Sequence, residues 1–198
     1  MKILALSDIH GDQAFAKAMA EKGQQEKVDL VVIAGDLKGF DGNIDGLIGP
    51  FKANGLEVAI MPGNHESMAE HNFLVERYKL KNLHGYALQK GEVGIFGCGY
   101  GDVGPHFLED EDFFKTLNKA HSTLDNVKKK IMVSHVQPSD SIIGLGVFPG
   151  SEGIRKAVEK FQPDIHICGH VHETEGIEDK IGKTRIINVG KKGMIFEV

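Results

Sequence analysis

Acidic, amide and imidazole side chains recur in this sequence at the points where short apolar runs end. The residues concerned are Asp8, His10, Asp36, Asn64, His135, His170 and His172. Carboxylate and amide oxygens together with imidazole nitrogens form a borderline-hard ligand set. Such a set suits Mn, Fe, Zn, Ni or Co better than calcium, which prefers oxygen throughout. The residue types therefore predict a centre for divalent transition-metal ions.

The spacing inside these blocks gives a second indication. Asp8 and His10 stand two residues apart, so extended backbone would point both side chains to the same side. The same spacing separates His170 from His172. Glycine adjoins most of the blocks, where a Cβ atom would crowd a turn or an approaching substrate. These glycines are Gly11, Gly35, Gly63 and Gly169.

The apolar runs themselves are predicted to be buried strands, because they are rich in Val and Ile and end at Gly, Ser, Asp or Pro. They span Lys2 to Leu6, Val28 to Ala34, Glu57 to Met61, Val93 to Cys98, Ile131 to Ser134 and Asp164 to Cys168. The carboxyl ends of strands form the ligand crevice in α/β sheets. Five of these strands would therefore bring the polar side chains to one rim.

Helical patterns lie between the strands. They cover Gln13 to Lys22, Ser67 to Tyr78, Glu109 to Lys129 and Ser151 to Phe161. The basic run from Lys128 to Lys130 is interpreted as the end of the third helix, where cations suit the macrodipole. The strand–helix alternation predicts an α/β fold. Short strands with glycine turns are expected at Leu83 to Cys98 and from Glu173 onward, so the sheets should be mixed.

The ordered motifs resemble those of the calcineurin-like metallophosphoesterase superfamily. Its pattern is D-x-H, G-D, G-N-H-E, a lone His after a strand, and G-H-x-H, and all five blocks occur here in that order from Asp8 to His172. A lone D-x-H or G-D carries almost no information, whereas the ordered set is specific. The resemblance implies two mixed β-sheets packed as a sandwich with flanking helices. We expect one domain over residues 1–198.

The resemblance also implies a role for each residue. Two ions would each be held by three ligands of their own and share the bridging carboxylate of Asp36. The first set is Asp8, His10 and His172, and the second is Asn64, His135 and His170. His65 would bind no metal and would face the substrate phosphate as a catalytic residue. The expected cofactors are two divalent ions, manganese first, with Fe, Zn, Ni or Co as alternatives.

The implied reaction is hydrolysis of a small phosphodiester, in which a hydroxide bridging the ions attacks phosphorus and His65 assists the leaving group. Phosphomonoester hydrolysis is one alternative, and a non-enzymatic metal-binding scaffold that recruits proteins is another. Protein phosphatases of the superfamily carry Asp and Arg three and four residues beyond the bridging Asp. Gly39 and Phe40 stand at those positions here, so protein phosphatase activity is not expected.

Composition restricts the partners and the compartment. The net charge of −5 gives no general attraction for nucleic acid. No apolar run approaches the ~20 residues of a membrane span, and the short apolar run near Met1 lacks the features of a signal peptide. We therefore expect a cytoplasmic protein that binds neither nucleic acid nor membrane. Cys98 and Cys168 show no CxxC spacing and are expected to be buried thiols.

Two further segments attract attention. Gly99 to Gly104 matches G-x-G-x-x-G, but Pro105 follows where a dinucleotide site needs a helix, so we predict a loop at the strand-end rim. The stretch from Ile142 to Pro149 is apolar for a loop. It could form a wall of the substrate pocket or a contact in a homo-oligomer, and the sequence leaves both open.

Overall fold

The computed structural model of the protein describes residues 1–39 and 42–198. Phe40 therefore lies outside the described residues. The strands are β1 (Lys2–Leu6), β2 (Leu30–Ala34), β3 (Val58–Met61), β4 (Lys81–Asn82), β5 (Ala87–Lys90), β6 (Val93–Cys98), β7 (Lys129–Ser134), β8 (Ile165–Cys168), β9 (Glu178–Ile181), β10 (Thr184–Asn188) and β11 (Met194–Glu197). The α-helices are α1 (Gln13–Gln25), α2 (Gly49–Ala53), α3 (Met68–Tyr78), α4 (Asp110–His121) and α5 (Glu152–Phe161).

The strands form two sheets. The first has the order β11-β1-β2-β3-β4, and the second has the order β5-β6-β7-β8-β10-β9. Strand pairs β1–β11, β5–β6 and β9–β10 are antiparallel, while the other described pairs are parallel. The predicted α/β fold with two mixed sheets is confirmed.

Side chains on the two faces of the first sheet pack into two different cores. Ile3 and Ala5 of β1 face the second sheet and pack in one cluster with residues such as Ile95. Leu4 and Leu6 face the other way, into a cluster that contains residues of α1, α2 and α3. A third cluster joins the second sheet to α4 and α5. Period-two alternation therefore produces a sandwich with helices on both outer faces.

The third predicted helix was too long. Helix α4 ends at His121, and Lys129 and Lys130 begin strand β7. The hydroxyls of Ser122 and Thr123 donate to carbonyl oxygens of the last helical turn at 2.7 and 2.8 Å. These carbonyls therefore have partners without the backbone N–H groups of a further helical turn. The basic run is therefore not a helix end. None of the described helices is long and apolar enough to cross a membrane.

Candidate metal centre

The seven sequence-predicted ligands meet where five strands end. Those of the first sheet follow β1, β2 and β3, and those of the second follow β7 and β8. Their carboxylate and imidazole atoms form two groups in which all ligand atoms lie within 4.8 Å of one another. The groups are Asp8, His10 and His172, and Asp36, His135 and His170. The site therefore spans the edge shared by the two sheets.

The first group surrounds a buried oxygen that lacks a partner. Nε2 of His172 lies 3.4 Å and Nε2 of His10 lies 3.7 Å from Oδ1 of Asp8. This Oδ1 is buried and accepts no hydrogen bond from any described residue. Oδ2 of the same carboxylate accepts from the Ser7 hydroxyl and from the backbone N–H of His170. An unpartnered buried anion is costly, so this donor set fits a cation.

The second group is equally compact. Nε2 of His135 lies 3.1 Å from Oδ1 of Asn64 and 3.3 Å from Oδ2 of Asp36. Nδ1 of His170 lies 3.2 Å from the same Nε2. On its other side, the His135 ring places Nδ1 at 2.8 Å from the carbonyl oxygen of Ala34. Because that carbonyl can only accept, Nδ1 donates its hydrogen there, and Nε2 is the ring nitrogen that faces the second group.

Asp36 contacts both groups. Its Oδ2 lies 3.3 Å from Nε2 of His135 in the second group and 3.8 Å from Nε2 of His10 in the first. Its Oδ1 accepts the backbone N–H of His65 at 3.1 Å. One carboxylate oxygen thus points between two sets of nitrogen ligands, as a bridging ligand requires.

The backbone of the ligands departs from the extended form that their spacing suggested. Asp8, His10, Asp36 and His170 all have positive φ, at 56°, 48°, 52° and 70°. Non-glycine residues rarely adopt this region, and such strain concentrates at functional sites. The expectation that extended backbone would point the two members of each pair to the same side was therefore wrong. His170 and His172 even serve different groups, because the chain turns at His170 and begins a 3-10 helix at His172.

Two of the glycines permit approaches that a Cβ would block. A Cβ at Gly169 would lie 1.8 Å from Oγ of Ser7 and 2.5 Å from Oδ2 of Asp8. A Cβ at Gly63 would lie 2.0 Å from Oδ1 of Asp36. All three distances are far below van der Waals contact. The ligand carboxylates are therefore packed directly against the backbone of neighbouring strand ends.

Glu66 links two ligand loops from beneath. Its buried carboxylate accepts backbone N–H groups of Asp36 at 3.0 Å, Lys38 at 3.0 Å and Gly63 at 2.8 Å. Burial and the nearby Asp36 charge raise the pKa of Glu66 to about 7. Ser67, rather than Glu66, is the N-cap of α3. Glu66 therefore holds the Asp36 and Gly63 loops together instead of capping the helix.

Comparison with known proteins places the chain in a family. The sequence model of the calcineurin-like phosphoesterases matches residues 1–174. The chain belongs to the calcineurin-like phosphoesterase family. An uncharacterized protein of Methanocaldococcus jannaschii is 27% identical over 205 residues, which cover 97% of this chain and 89% of that protein.

Solved structures show the same fold in other proteins. The TT1561 protein of Thermus thermophilus superimposes with a TM-score of 0.76 at 16% identity, covering 96% of this chain and 88% of the other. A structure described as a novel archaeal phosphodiesterase gives a TM-score of 0.56 at 15% identity, covering 96% and 84%. At these identities the likeness concerns the fold alone.

The two carboxylates of the candidate centre stay charged although they are buried. Burial would raise the pKa of Asp36, but the rings of His135 and His65 lower it well below its usual value. The pKa of Asp8 is also lowered, because contacts with His172 and His135 outweigh burial. Burial by itself lowers the pKa of His135, yet the Asp36 and Asp8 carboxylates raise it to about 10. Both carboxylates are therefore ionised at neutral pH.

His65 lies at the open side of the centre. It lines a cavity of about 370 Å³ together with ligands from both groups and with Gly39. Its Nε2 is 3.7 Å from Oδ2 of Asp36, and its ring contacts the ring of His10 with centroids 4.9 Å apart. The apolar stretch after Ile142 lines a separate cavity instead. Its predicted role in a homo-oligomer stays a prediction.

Sequence reasoning missed Asp102, which contacts a member of the second group. Its Oδ1 lies 3.2 Å from Nε2 of His170. Burial would raise the pKa of Asp102, but the contact with His170 lowers it. The loop from Gly99 to Gly104 does lie at the strand-end rim, as expected. The available signal was an acidic residue inside a glycine-rich loop that directly follows a buried strand.

Proposed function

We propose that this calcineurin-like phosphoesterase hydrolyses a small phosphodiester with two divalent ions as cofactors. The observation that carries the proposal is the position of Asp36, whose Oδ2 faces His135 at 3.3 Å and His10 at 3.8 Å. A single ion would not need a second set of ligands across this carboxylate. Oδ1 of Asp8, which is buried and accepts no hydrogen bond from the described residues, supports a cation in the first group.

Each ion would have its own ligands in addition to the shared Asp36. Asp8, His10 and His172 would hold one, and Asn64, His135 and His170 would hold the other. Two bound ions would supply an acidified water and neutralise charge on the phosphoryl oxygens. We assign manganese as the first candidate, with Fe, Zn, Ni or Co as alternatives that depend on supply.

His65 would be the catalytic residue. Its ring lines the same cavity as the ligands, so it reaches the space in which a phosphoester would lie. Donation of a proton by His65 to the departing alkoxide would make that group a better leaving group. Gly39 offers no side chain that could pair with His65 from that position, which separates this site from that of the protein phosphatases.

The preference for a diester has two supports. A phosphodiesterase from an archaeon shares the fold, and the chain lacks the Asp of the protein phosphatase pattern at position 39. A phosphomonoester remains the alternative substrate in the same cavity, and a protein-recruiting scaffold is the non-enzymatic alternative. The intact ligand set and His65 favour an enzyme over a scaffold.

A substrate panel tests the proposal. Metal-depleted protein would be reloaded with each candidate ion and assayed with bis-p-nitrophenyl phosphate, p-nitrophenyl phosphate and cyclic nucleotides. We expect Mn²⁺-loaded protein to cleave the diester fastest and a chelator to abolish the reaction. Faster turnover of the monoester would assign a phosphomonoesterase. Metal-replete protein that cleaves none of the three would leave the scaffold as the better hypothesis.

A further inference from the structure

We propose that Asp102 is a positioning residue for one of the two ions. It fixes the His170 ring so that Nδ1 faces the second ligand group, and it thereby sets the affinity of that group alone. The inference rests on the proposed dinuclear centre and concerns a residue that lies outside the five family motifs.

The His170 ring has a different neighbour on each side. Its Nδ1 lies 3.2 Å from Nε2 of His135, inside the second group. Its Nε2 lies 3.2 Å from Oδ1 of Asp102, outside the group. A neutral imidazole carries one N–H, and a ligand nitrogen must offer a lone pair. For Nδ1 to bind an ion, Nε2 must carry the hydrogen, and the Asp102 carboxylate is the group on that side that can accept it.

The arrangement repeats that of the neighbouring ligand. His135 directs Nδ1 to the Ala34 carbonyl at 2.8 Å and Nε2 to the group, so its hydrogen also lies on the outer nitrogen. Metal-ligating histidines generally donate their second N–H to a carboxylate or carbonyl, which fixes the tautomer and the ring orientation. Each histidine of the second group thus has one outer acceptor, a backbone carbonyl for His135 and the Asp102 carboxylate for His170.

Burial of Oδ1 of Asp102 favours one orientation and one tautomer of the His170 ring. Oδ1 is buried, and no described residue donates an aligned hydrogen bond to it. The separation of Nε2 of His170 from this Oδ1 is that of a hydrogen bond, but the two groups are not aligned as a hydrogen bond requires. Since a buried carboxylate oxygen without a partner is costly, the carboxylate favours the ring orientation and tautomer in which Nε2–H points at it.

The loop that carries Asp102 is held against the other end of the second group. A Cβ at Gly99 would lie 2.2 Å from the carbonyl oxygen of Pro62, and a Cβ at Gly101 would lie 2.7 Å from Cβ of Asn64. The backbone N–H of Tyr100 donates to the same Pro62 carbonyl at 2.8 Å. The G-x-G-x-x-G spacing therefore serves close packing on the ligand Asn64, and that packing positions Asp102.

Ion titrations of two variants test this role. Metal-free wild type, Asp102→Ala and Asp102→Asn would be titrated with Mn²⁺ by calorimetry, with Asp125→Asn as a control in an exposed loop. We expect Asp102→Ala to weaken one of two binding events by about 10- to 100-fold, as loss of an outer carboxylate typically does. The other event and the control should match wild type, and Asp102→Asn should fall between Ala and wild type.

The tautomer of His170 gives a readout that mere structural damage would not move. In ¹⁵N spectra of the metal-free protein, wild-type His170 should carry its hydrogen on Nε2, and Asp102→Ala should shift it toward a mixture.

If Asp102→Ala does not fold, Asp102→Asn carries both measurements. The proposal is overturned if a folded variant binds both ions as wild type does, if both events weaken equally, or if wild type takes up one ion only. Wild type that binds two ions and cleaves no phosphoester would remove the proposed function and leave this inference standing.

Discussion

The Nε2 atom of His10 lies 3.0 Å from the Nε2 atom of His172, although 162 positions separate the two residues. Two imidazole nitrogens at this distance share a proton or direct their lone pairs at one cation. The buried and unpartnered Oδ1 of Asp8 favours the cation, because it lies within 3.7 Å of both nitrogens. Ligands about 2.0–2.2 Å from one ion fit such separations.

Replacement of Asp36 by Asn tests the bridge. The variant removes the negative charge that faces both His10 and His135, so we expect fewer than two ions per chain and a loss of phosphoesterase activity. Elemental analysis after dialysis measures the ions. Asp125→Asn is the matched control and should keep the wild-type ion content. Full occupancy of both groups in Asp36→Asn would contradict the bridging assignment.

Replacement of His65 by Ala separates catalysis from metal binding. Because His65 is assigned to the leaving group, we expect kcat to fall by about 10²- to 10⁴-fold while both ions stay bound. His121→Ala, on the outer helix α4, is the control and should keep the wild-type kcat. His65 also lies in a cluster with His10 and Asp36 that could hold an ion, so loss of an ion from His65→Ala would instead make it a ligand.

Gly169→Ala tests the close packing beneath the first group. The added Cβ would lie 1.8 Å from Oγ of Ser7 and 2.5 Å from Oδ2 of Asp8, so the Asp8 carboxylate must move. We expect weaker ion binding by the first group and a free energy of unfolding lower by about 1–3 kcal/mol. Denaturant titration and calorimetry measure the two effects. Gly49→Ala meets no atom within 4 Å and should leave both unchanged.

His166 predicts a dependence of stability on pH. Burial lowers its pKa in the folded protein to about 3, whereas an unfolded histidine titrates near 6.5. Between these values the unfolded chain binds the extra proton, so this contribution to stability is present above pH ~6.5 and is lost as the pH falls toward ~3. The slope approaches about 1.4 kcal/mol per pH unit.

Comparison with His166→Gln isolates this contribution. At pH 7.5 the variant should be less stable by about 1–3 kcal/mol, because the buried hydroxyl of Ser134 loses its 2.6 Å contact with Nε2 of His166. Denaturant unfolding of metal-free protein at pH 7.5, 6 and 5 should show this difference shrinking as the pH falls. A difference that stays constant over that range would exclude the assigned pKa.

The parts of the fold that the sequence predicted well are those set by burial on both faces. Strands β1 and β6 have the predicted bounds because Val, Ile and Leu runs specify buried strands directly. The end of α4 was misplaced because Lys129 and Lys130 suit a helix end and a strand equally. Local charge patterns do not distinguish these alternatives.

The convergence of the seven proposed ligands could be predicted because Asp, Asn and His recur in order at the ends of predicted strands. The backbone that presents them could not, since Asp8 and His170 have positive φ and their N–H groups bond to distant parts of the chain, Gly35 and Asp8 respectively. Asp102 was missed for a related reason. Its contact with His170 joins two loops from different parts of the chain, and a single sequence contains no signal for that pairing.

The order of the ligands along the chain has a consequence for biosynthesis. The first group needs residues near the start of the chain and also His172, which is translated 162 residues after His10. A nascent chain leaving the ribosome therefore has no complete chelating pocket until the second sheet has assembled. Under the proposed assignment, the first ligand group would therefore be complete only after His172 has been synthesised and folded against Asp8 and His10.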